Sequence, residues 1–294
     1  GLESSELSFS VAKGTLESKN YTVNTLNLQS TNEVPEDALS VIIAGPQKPL
    51  SSGEVSLLKK YVDAGGSLVV MEDPIIMTEF GDSNDPLAVY LERDWGILLN
   101  NDIIFDLTSQ QPLNAISAGA DPSHPITQNL SFDYQIIMPQ ARSVGIAETT
   151  PENVILTPLI FTSSDSWGET ELSDDPEAQY QADQGVDFFG PLSMAVAAEN
   201  TVTQGRVVVS GNSLFATDEV FNVYGNGNFF INSVDWAAEQ EDLINITPRE
   251  STPRTMRQIE NWKFIVMIIL AILVLPGSIV FMGVSSWIAR RRRG

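Results

Sequence analysis

Cysteine is absent from this chain of 294 residues, and histidine occurs once, at His124. The first absence removes disulfides, zinc–thiolate sites and cysteine nucleophiles together, while saying little about compartment. The second excludes a two-histidine metal site and ties any histidine-based triad to one position. That position lies in Asp121-Pro122-Ser123-His124-Pro125-Ile126. Two flanking prolines mark a rigid loop, so a structural histidine is the reading preferred over a base or ligand. No Gly-x-Ser-x-Gly elbow occurs, and no phosphate-binding loop, which argues against a serine hydrolase and against ATP hydrolysis by that route. Internal repeats and coiled-coil heptads are also missing. No metal and no cofactor is expected.

Basic residues are scarce in most of the chain. Residues 1–248 hold 8 Lys/Arg against 36 Asp/Glu, whereas residues 249–294 hold 8 against 2. The acidic part would repel nucleic acid and anionic headgroups, so no nucleic-acid partner is expected. Solubility is the plain reading of that charge. The chain opens at Gly1 rather than Met, which leads us to expect a processed or truncated product, and no signal-peptide pattern is visible in it.

What is present begins with an apolar core supply of 43% hydrophobic residues and an uncharged run from Phe264 to Ile288. At about 1.5 Å per residue this run exceeds the roughly 30 Å hydrocarbon core, so one C-terminal transmembrane helix is expected, in contact with membrane lipid. Trp262 and Trp287 stand where indoles favour the headgroup layer, and Arg290, Arg291, Arg292 and Arg293 follow directly. By the positive-inside rule the C-terminus is cytoplasmic and the large domain is extracytoplasmic, periplasmic in a bacterium, at the plasma membrane. The expected division is an extracytoplasmic α/β domain over 1–245, a stem over 246–263, the membrane helix over 264–288 and a basic tail over 289–294.

Within the large domain, strands and helices alternate. A helix is expected over Glu6–Asn20, with Leu7, Val11 and Leu16 as its stripe, and a strand over Tyr21–Leu28. The run Leu39–Ala44 ends at Gly45-Pro46 like a buried strand. Ser51 and Glu54 form a capping-box pattern, Val55, Leu58 and Val62 point inward, and Leu68–Met71 follows Gly65-Gly66. Two buried strands joined by a helix make a βαβ unit and imply a parallel sheet. Pro86–Trp95 and Asn228–Glu239 read as helices, and Ile103–Phe105, Leu192–Ala198 and Arg206–Ser210 as strands. The middle, roughly 110–190, reads as short strands with long loops. One such loop, Ser163–Phe188, carries eight acidic residues and no basic one. A solvated loop is preferred there over a calcium site. Trp167 inside it is either a contact surface or a buried pin.

In a doubly wound sheet, ligands collect at the carboxyl ends of the strands. Here those ends, with Glu72 opening the second of them, supply Gly45, Pro46, Asp73, Pro74, Gly211, Asn212 and Ser213. With Trp167 and Glu169 they are the candidate ligand- or partner-binding residues. The alternative is that glycine, proline and asparagine simply make turns at these places.

Several stretches in order resemble one family. They are Ile43-Ala44-Gly45-Pro46 with Lys48-Pro49-Leu50-Ser51, Glu54, Tyr61, Gly65-Gly66 and Asp73-Pro74; then Thr162 through Thr170; then Arg206–Val209 with Gly211-Asn212-Ser213, Gly227–Asn232, Trp236 and Ile246-Thr247-Pro248. With the C-terminal arginine tail, this pattern resembles the Gldg-type auxiliary component of an ABC transport system, associated with gliding motility. The resemblance implies a flavodoxin-like, glutamine-amidotransferase-like fold with a mostly parallel sheet. Amidases of that fold use a Cys–His–Glu triad, which a chain without cysteine cannot supply, and the family's usual first strand is missing here. No catalytic residue is transferred, and the chain is not expected to be an enzyme. The implied role is an auxiliary subunit beside an ABC permease and a separate ATPase subunit, binding a substrate or an envelope partner. The alternatives are a membrane-tethered, carboxylate-dependent hydrolase or carbohydrate-active enzyme using Asp73 or Glu169, and a structural anchor in a surface or motility assembly.

Overall fold

Apolar runs bounded by glycine and proline set the frame of the large unit. The computed structural model describes residues 8–130, 135–173, 180–239, 282–284, 287, 288 and 291. It divides into two units, 1–247 and 248–294. In the first, α1 (Ser10–Ser18) buries Ala12 and Leu16, and a single helical turn, α2 (Leu28–Thr31), follows with Asn27 as its N-cap. The alternation over Tyr21–Leu28 does not produce the expected strand; those residues run without regular pairing into α2.

The βαβ unit forms as expected. Strand β1 (Val41–Ala44), helix α3 (Ser52–Asp63) and strand β2 (Ser67–Met71) follow one another, and Ser51 and Glu54 close a capping box at the start of α3. The two strands are parallel, with Val41 beside Leu68 and Ala44 beside Met71. Helix α4 (Pro86–Tyr90), capped by Asp85, continues as a π turn to Trp95. Then come β3 (Ile97–Leu99), β4 (Ile103–Asp106), β5 (Asn114–Ile116), β6 (Gly119–Ala120), β7 (Ile137–Pro139) and β8 (Val144–Ile146). The chain closes with β9 (Val154–Phe161), β10 (Ser166–Glu169), β11 (Phe188–Phe189), β12 (Ser193–Asn200), β13 (Arg206–Ser210) and helix α5 (Asn226–Ala237).

The sheet corrects the expected fold class. Six strands run in the order β1-β2-β13-β12-β9-β6, and among them only β1–β2 and β2–β13 are parallel. The β13–β12, β12–β9 and β9–β6 pairs are antiparallel, as are the three small sheets β11-β10-β4, β3-β8 and β5-β7. The molecule is therefore a mixed α/β fold with mostly antiparallel pairing, not a mostly parallel flavodoxin-like or glutamine-amidotransferase-like sheet. Chain length explains the difference. Residues 201–205 alone join β12 to β13, too few for the crossover of a dozen or more residues that a parallel step needs.

Side-chain alternation along the strands splits the core in two. Leu68, Val70, Val207 and Val209 face α3, Tyr90 and Trp95 in one cluster. Val69, Met71, Val208 and Ala197 face α1 and α5 in the other. Fully burying a side chain such as Leu58 contributes about 2 kcal/mol before entropic costs. Helix α1 is tied to α5 by a buried pair, Lys19 Nζ to Asp235 Oδ2 at 2.6 Å, with Tyr21 Oη donating to Asp235 Oδ1 at 2.8 Å.

The expected transmembrane helix over 264–288 falls mostly outside the described residues. Among the described residues no helix is long and apolar enough to cross a membrane. The stem from 246 to 263 with Trp262, and Arg290, Arg292 and Arg293, also lie outside them. In the second unit the Arg291 guanidinium sits 5.4 Å from the centre of the Trp287 ring, and Trp287 is exposed.

Candidate functional site

Parallel strands β1, β2 and β13 end side by side, so the turns that follow them must meet. The structure brings Gly45, Asp73, Gly211, Asn212 and Ser213 together there, with Pro46 half-buried and Pro74 buried alongside. Ser213 donates its backbone N–H to Asp73 Oδ1 at 2.6 Å and its hydroxyl to Asp73 Oδ2 at 2.9 Å. Gly45 is left-handed, with φ +57°, and a Cβ on it would come within 2.5 Å of Ser213 Oγ. Position 45 therefore demands glycine on both backbone and steric grounds. A Cβ on Gly211 would run into the Arg142 carbonyl, because Arg142 N–H donates to the Gly211 carbonyl at 2.9 Å.

Arg142 fills the space above this rim. Its Nε donates to the Asn100 carbonyl at 2.6 Å, Nη2 to the Leu99 carbonyl at 2.8 Å, and Nη1 lies 3.3 Å from Glu72 Oε1. Next to it Asp102 accepts the N–H of Ser143 at 2.8 Å and its hydroxyl at 2.6 Å. Asn212 Nδ2 donates to the Pro139 carbonyl and fastens the end of β7. Arg142, Glu72, Asp73, Asp102, Asn212 and Ser213 are all buried.

One guanidinium thus shares a dry space with several carboxyls. Burial pushes Glu72 well above the usual carboxylate range, and Asp85 adds to the rise while Arg142 opposes it. Glu72 Oε2 is buried and has no hydrogen-bond partner among the described residues. The Arg142–Glu72 contact at 3.3 Å is longer than the 2.7–2.9 Å of a tight ion pair. Burial also raises Asp73 and Asp102, against the lowering effect of their serine hydrogen bonds.

These raised carboxyls bind more protons in the folded chain than in the unfolded one. Their contribution to stability is complete below the ordinary carboxylate pKa of about 4 and is lost as pH rises through the raised folded values. Asp121, held low by the Ser123 hydroxyl and N–H, acts the other way, and only at more acidic pH. Melting temperatures should therefore rise as pH falls from about 7.5 to 5, and Glu72→Gln should flatten that rise. Thermal melts across this range check it; a steady fall in the wild type on acidification would contradict it.

Trp167 and Glu169, the other two candidates, lie elsewhere. Both are in β10, inside what was expected to be a loop, and both are buried. Trp167 stacks on Phe105, with centroids 5.0 Å apart and planes 13° from parallel, and its Nε1 donates to Glu169 Oε2 at 3.3 Å. The tryptophan pins the segment. His124 takes the N–H of Ile126 on Nδ1 at 3.3 Å and packs against Trp236, as a structural loop histidine does.

Sequence reasoning placed Glu72 at the strand end but missed Arg142, Asp102 and Asp85. A signal existed for the first. Arg142 is the only Lys or Arg between Arg93 and Arg206, and it sits in an apolar stretch where a charge must find partners. Among the described residues no three histidines or carboxylates come together as metal ligands. A cavity of about 470 Å³ opens at the opposite end of the sheet, beside Val34, Leu39, Leu57, Tyr61 and Ala238. None of the rim residues lines it.

Comparison with known proteins bears on this arrangement. A family model described as an ABC-type uncharacterized transport system matches residues 11–233. Intraflagellar transport protein 52 homolog from Mus musculus is 33% identical over 86 residues, which is 29% of this chain and 19% of that protein. The protein of the same description from Homo sapiens is also 33% identical over 86 residues and is covered over 18% of its length. The chain thus spans about a fifth of the curated relatives it matches. The solved structure of the mmIFT52 N-terminal domain shares the fold, with a TM-score of 0.57 at 15% identity, over 81% of this chain and 93% of that one.

Proposed function

The chain belongs to the ABC-type uncharacterized transport system family, whose model spans about three quarters of it, and from that premise we propose that it is a non-catalytic auxiliary subunit acting through its surface. The single observation that carries this reading is the closed rim. The place where α/β sheets of this kind usually receive a small molecule is occupied by Arg142 and by the Asp73–Ser213 and Asp102–Ser143 pairs. A catalytic acid or nucleophile there would need access to a substrate and a cleft to hold it.

The expected partners are an ABC permease and a separate ATPase subunit, and within the family the Gldg-type group is the one the sequence resembles. Attachment at the plasma membrane, with the acidic domain outside, rests on the uncharged stretch 264–288 and the arginines after it. Purification of the tagged chain in mild detergent is expected to recover the permease and the ATPase. A chain that remains alone across detergents and salt concentrations would count against the proposal. The fold shared with the mmIFT52 N-terminal domain favours a second reading, a structural part in a larger transport or motility assembly; recovery of a filamentous or multi-subunit assembly lacking any ATPase would support it over the first.

A further inference from the structure

Apolar side chains stand exposed at the outer edge of the β11-β10-β4 sheet. Phe188 is 43% exposed, Phe189 49% and Val186 48%. Among the described residues β11 pairs only with β10, so it is an edge strand. The residues are not exposed for want of structure. Asp187, between them in sequence, is buried, and its carboxylate accepts the Thr170 N–H at 3.0 Å, the Thr170 hydroxyl at 3.1 Å and the Asp183 N–H at 2.8 Å. Gly190 N–H donates to the Ser166 carbonyl at 2.8 Å. Phe189 is paired across the strands with Trp167, which is itself stacked on Phe105. A buried carboxylate thus fixes this edge strand with one phenylalanine exposed on each of its faces, Phe189 backed by the Trp167–Phe105 stack, so a segment lying along the edge can meet both.

Charge narrows the occupant. No basic side chain occurs in residues 163–188, and among the described residues Asp165, Glu171 and Asp183 are exposed carboxylates. A second copy would bring the same charge, and an anionic bilayer would be repelled. We propose that this edge docks a partner-protein segment combining aliphatic side chains with Lys or Arg. This deepens the auxiliary-subunit reading and rests on it: the segment belongs to the permease–ATPase assembly. The phenylalanines anchor its apolar residues, and the surrounding carboxylates meet its cations.

The test compares the full-length tagged chain with its F188S/F189S variant, at about 50 and 500 mM salt. The variant should melt within about 2 °C of wild type, because exposed positions contribute little to the core. It should recover at least about tenfold less permease and ATPase, and wild-type recovery should fall with salt. Equal recovery by both chains overturns the docking surface and leaves the auxiliary-subunit reading standing. No recovery by wild type overturns that reading, and a peptide titration then judges the surface alone. A fluorescent Lys-Leu-Lys-Val-Lys-Leu peptide should bind wild type saturably and the variant about tenfold more weakly. Equal binding of the peptide with Glu in place of Lys, or no binding of either, overturns the proposal, as does wild-type self-association that F188S/F189S abolishes.

Discussion

Replacing Arg142 with methionine is expected to lower the melting temperature by about 10 °C or more. The side chain donates to the carbonyls of Asn100 and Leu99 and to Glu72, all in a space closed to solvent. Methionine fills a similar volume but leaves two buried carbonyls without donors and the Asp73 and Asp102 carboxyls without their counter-charge. Removing one partner from such a network costs about 3–5 kcal/mol, and for a domain of this size each kcal/mol corresponds to about 2–4 °C. Arg142→Lys should recover less than half of the loss, since an ammonium supplies the charge but not the planar fork that reaches two carbonyls and a carboxyl at once. Melting curves of the three chains decide the matter. An R142M chain that melts within about 2 °C of wild type would mean that the network is not structural.

The second large effect is expected where α1 meets α5. Lys19 Nζ lies 2.6 Å from Asp235 Oδ2, and both side chains are almost wholly shielded from solvent. Tyr21 holds the other oxygen, and burial followed by its contact with Asp235 keeps the phenol well above its ordinary pKa. Lys19→Met leaves the Asp235 carboxylate buried with a single neutral donor, and a loss of about 3 kcal/mol is expected. The K19M/D235N double variant should recover part of this, giving a coupling of about 1–3 kcal/mol in a double-mutant cycle measured by denaturant unfolding. Additive losses would show that the two side chains act independently.

Legibility in the sequence followed the range of the interactions involved. The β1–α3–β2 unit was readable because each signal is local: a capping box at Ser51 and Glu54, an inward stripe of Val55, Leu58 and Val62, and an apolar strand on either side. The convergence of Gly45, Asp73 and Ser213 followed from that unit. What became of them did not, because the group that covers them, Arg142, arrives from far along the chain. The middle of the chain resisted for a related reason. Its strands are as short as two residues, such as Gly119–Ala120 and Phe188–Phe189, and a strand of that length is defined by its partner rather than by its own pattern. Tyr21–Leu28 shows the converse, an alternating pattern that finds no partner and forms no strand. The antiparallel turn from β12 to β13 was readable from the short gap between the two runs, but the parallel character of the β1–β2 unit was extended over the whole sheet.

The central claim is that the strand-end rim is closed by the chain's own side chains, so that function lies on the outer surface. Amide hydrogen exchange of the full-length chain tests it most directly. The N–H groups of Arg142, Ser143 and Ser213 donate to Gly211, Asp102 and Asp73, and the account predicts that they exchange as slowly as the amides of β2 and β13, opening only with global unfolding. Exchange of these three amides orders of magnitude faster than their strand neighbours would contradict it, since the rim would then open in the native state as a ligand cleft does.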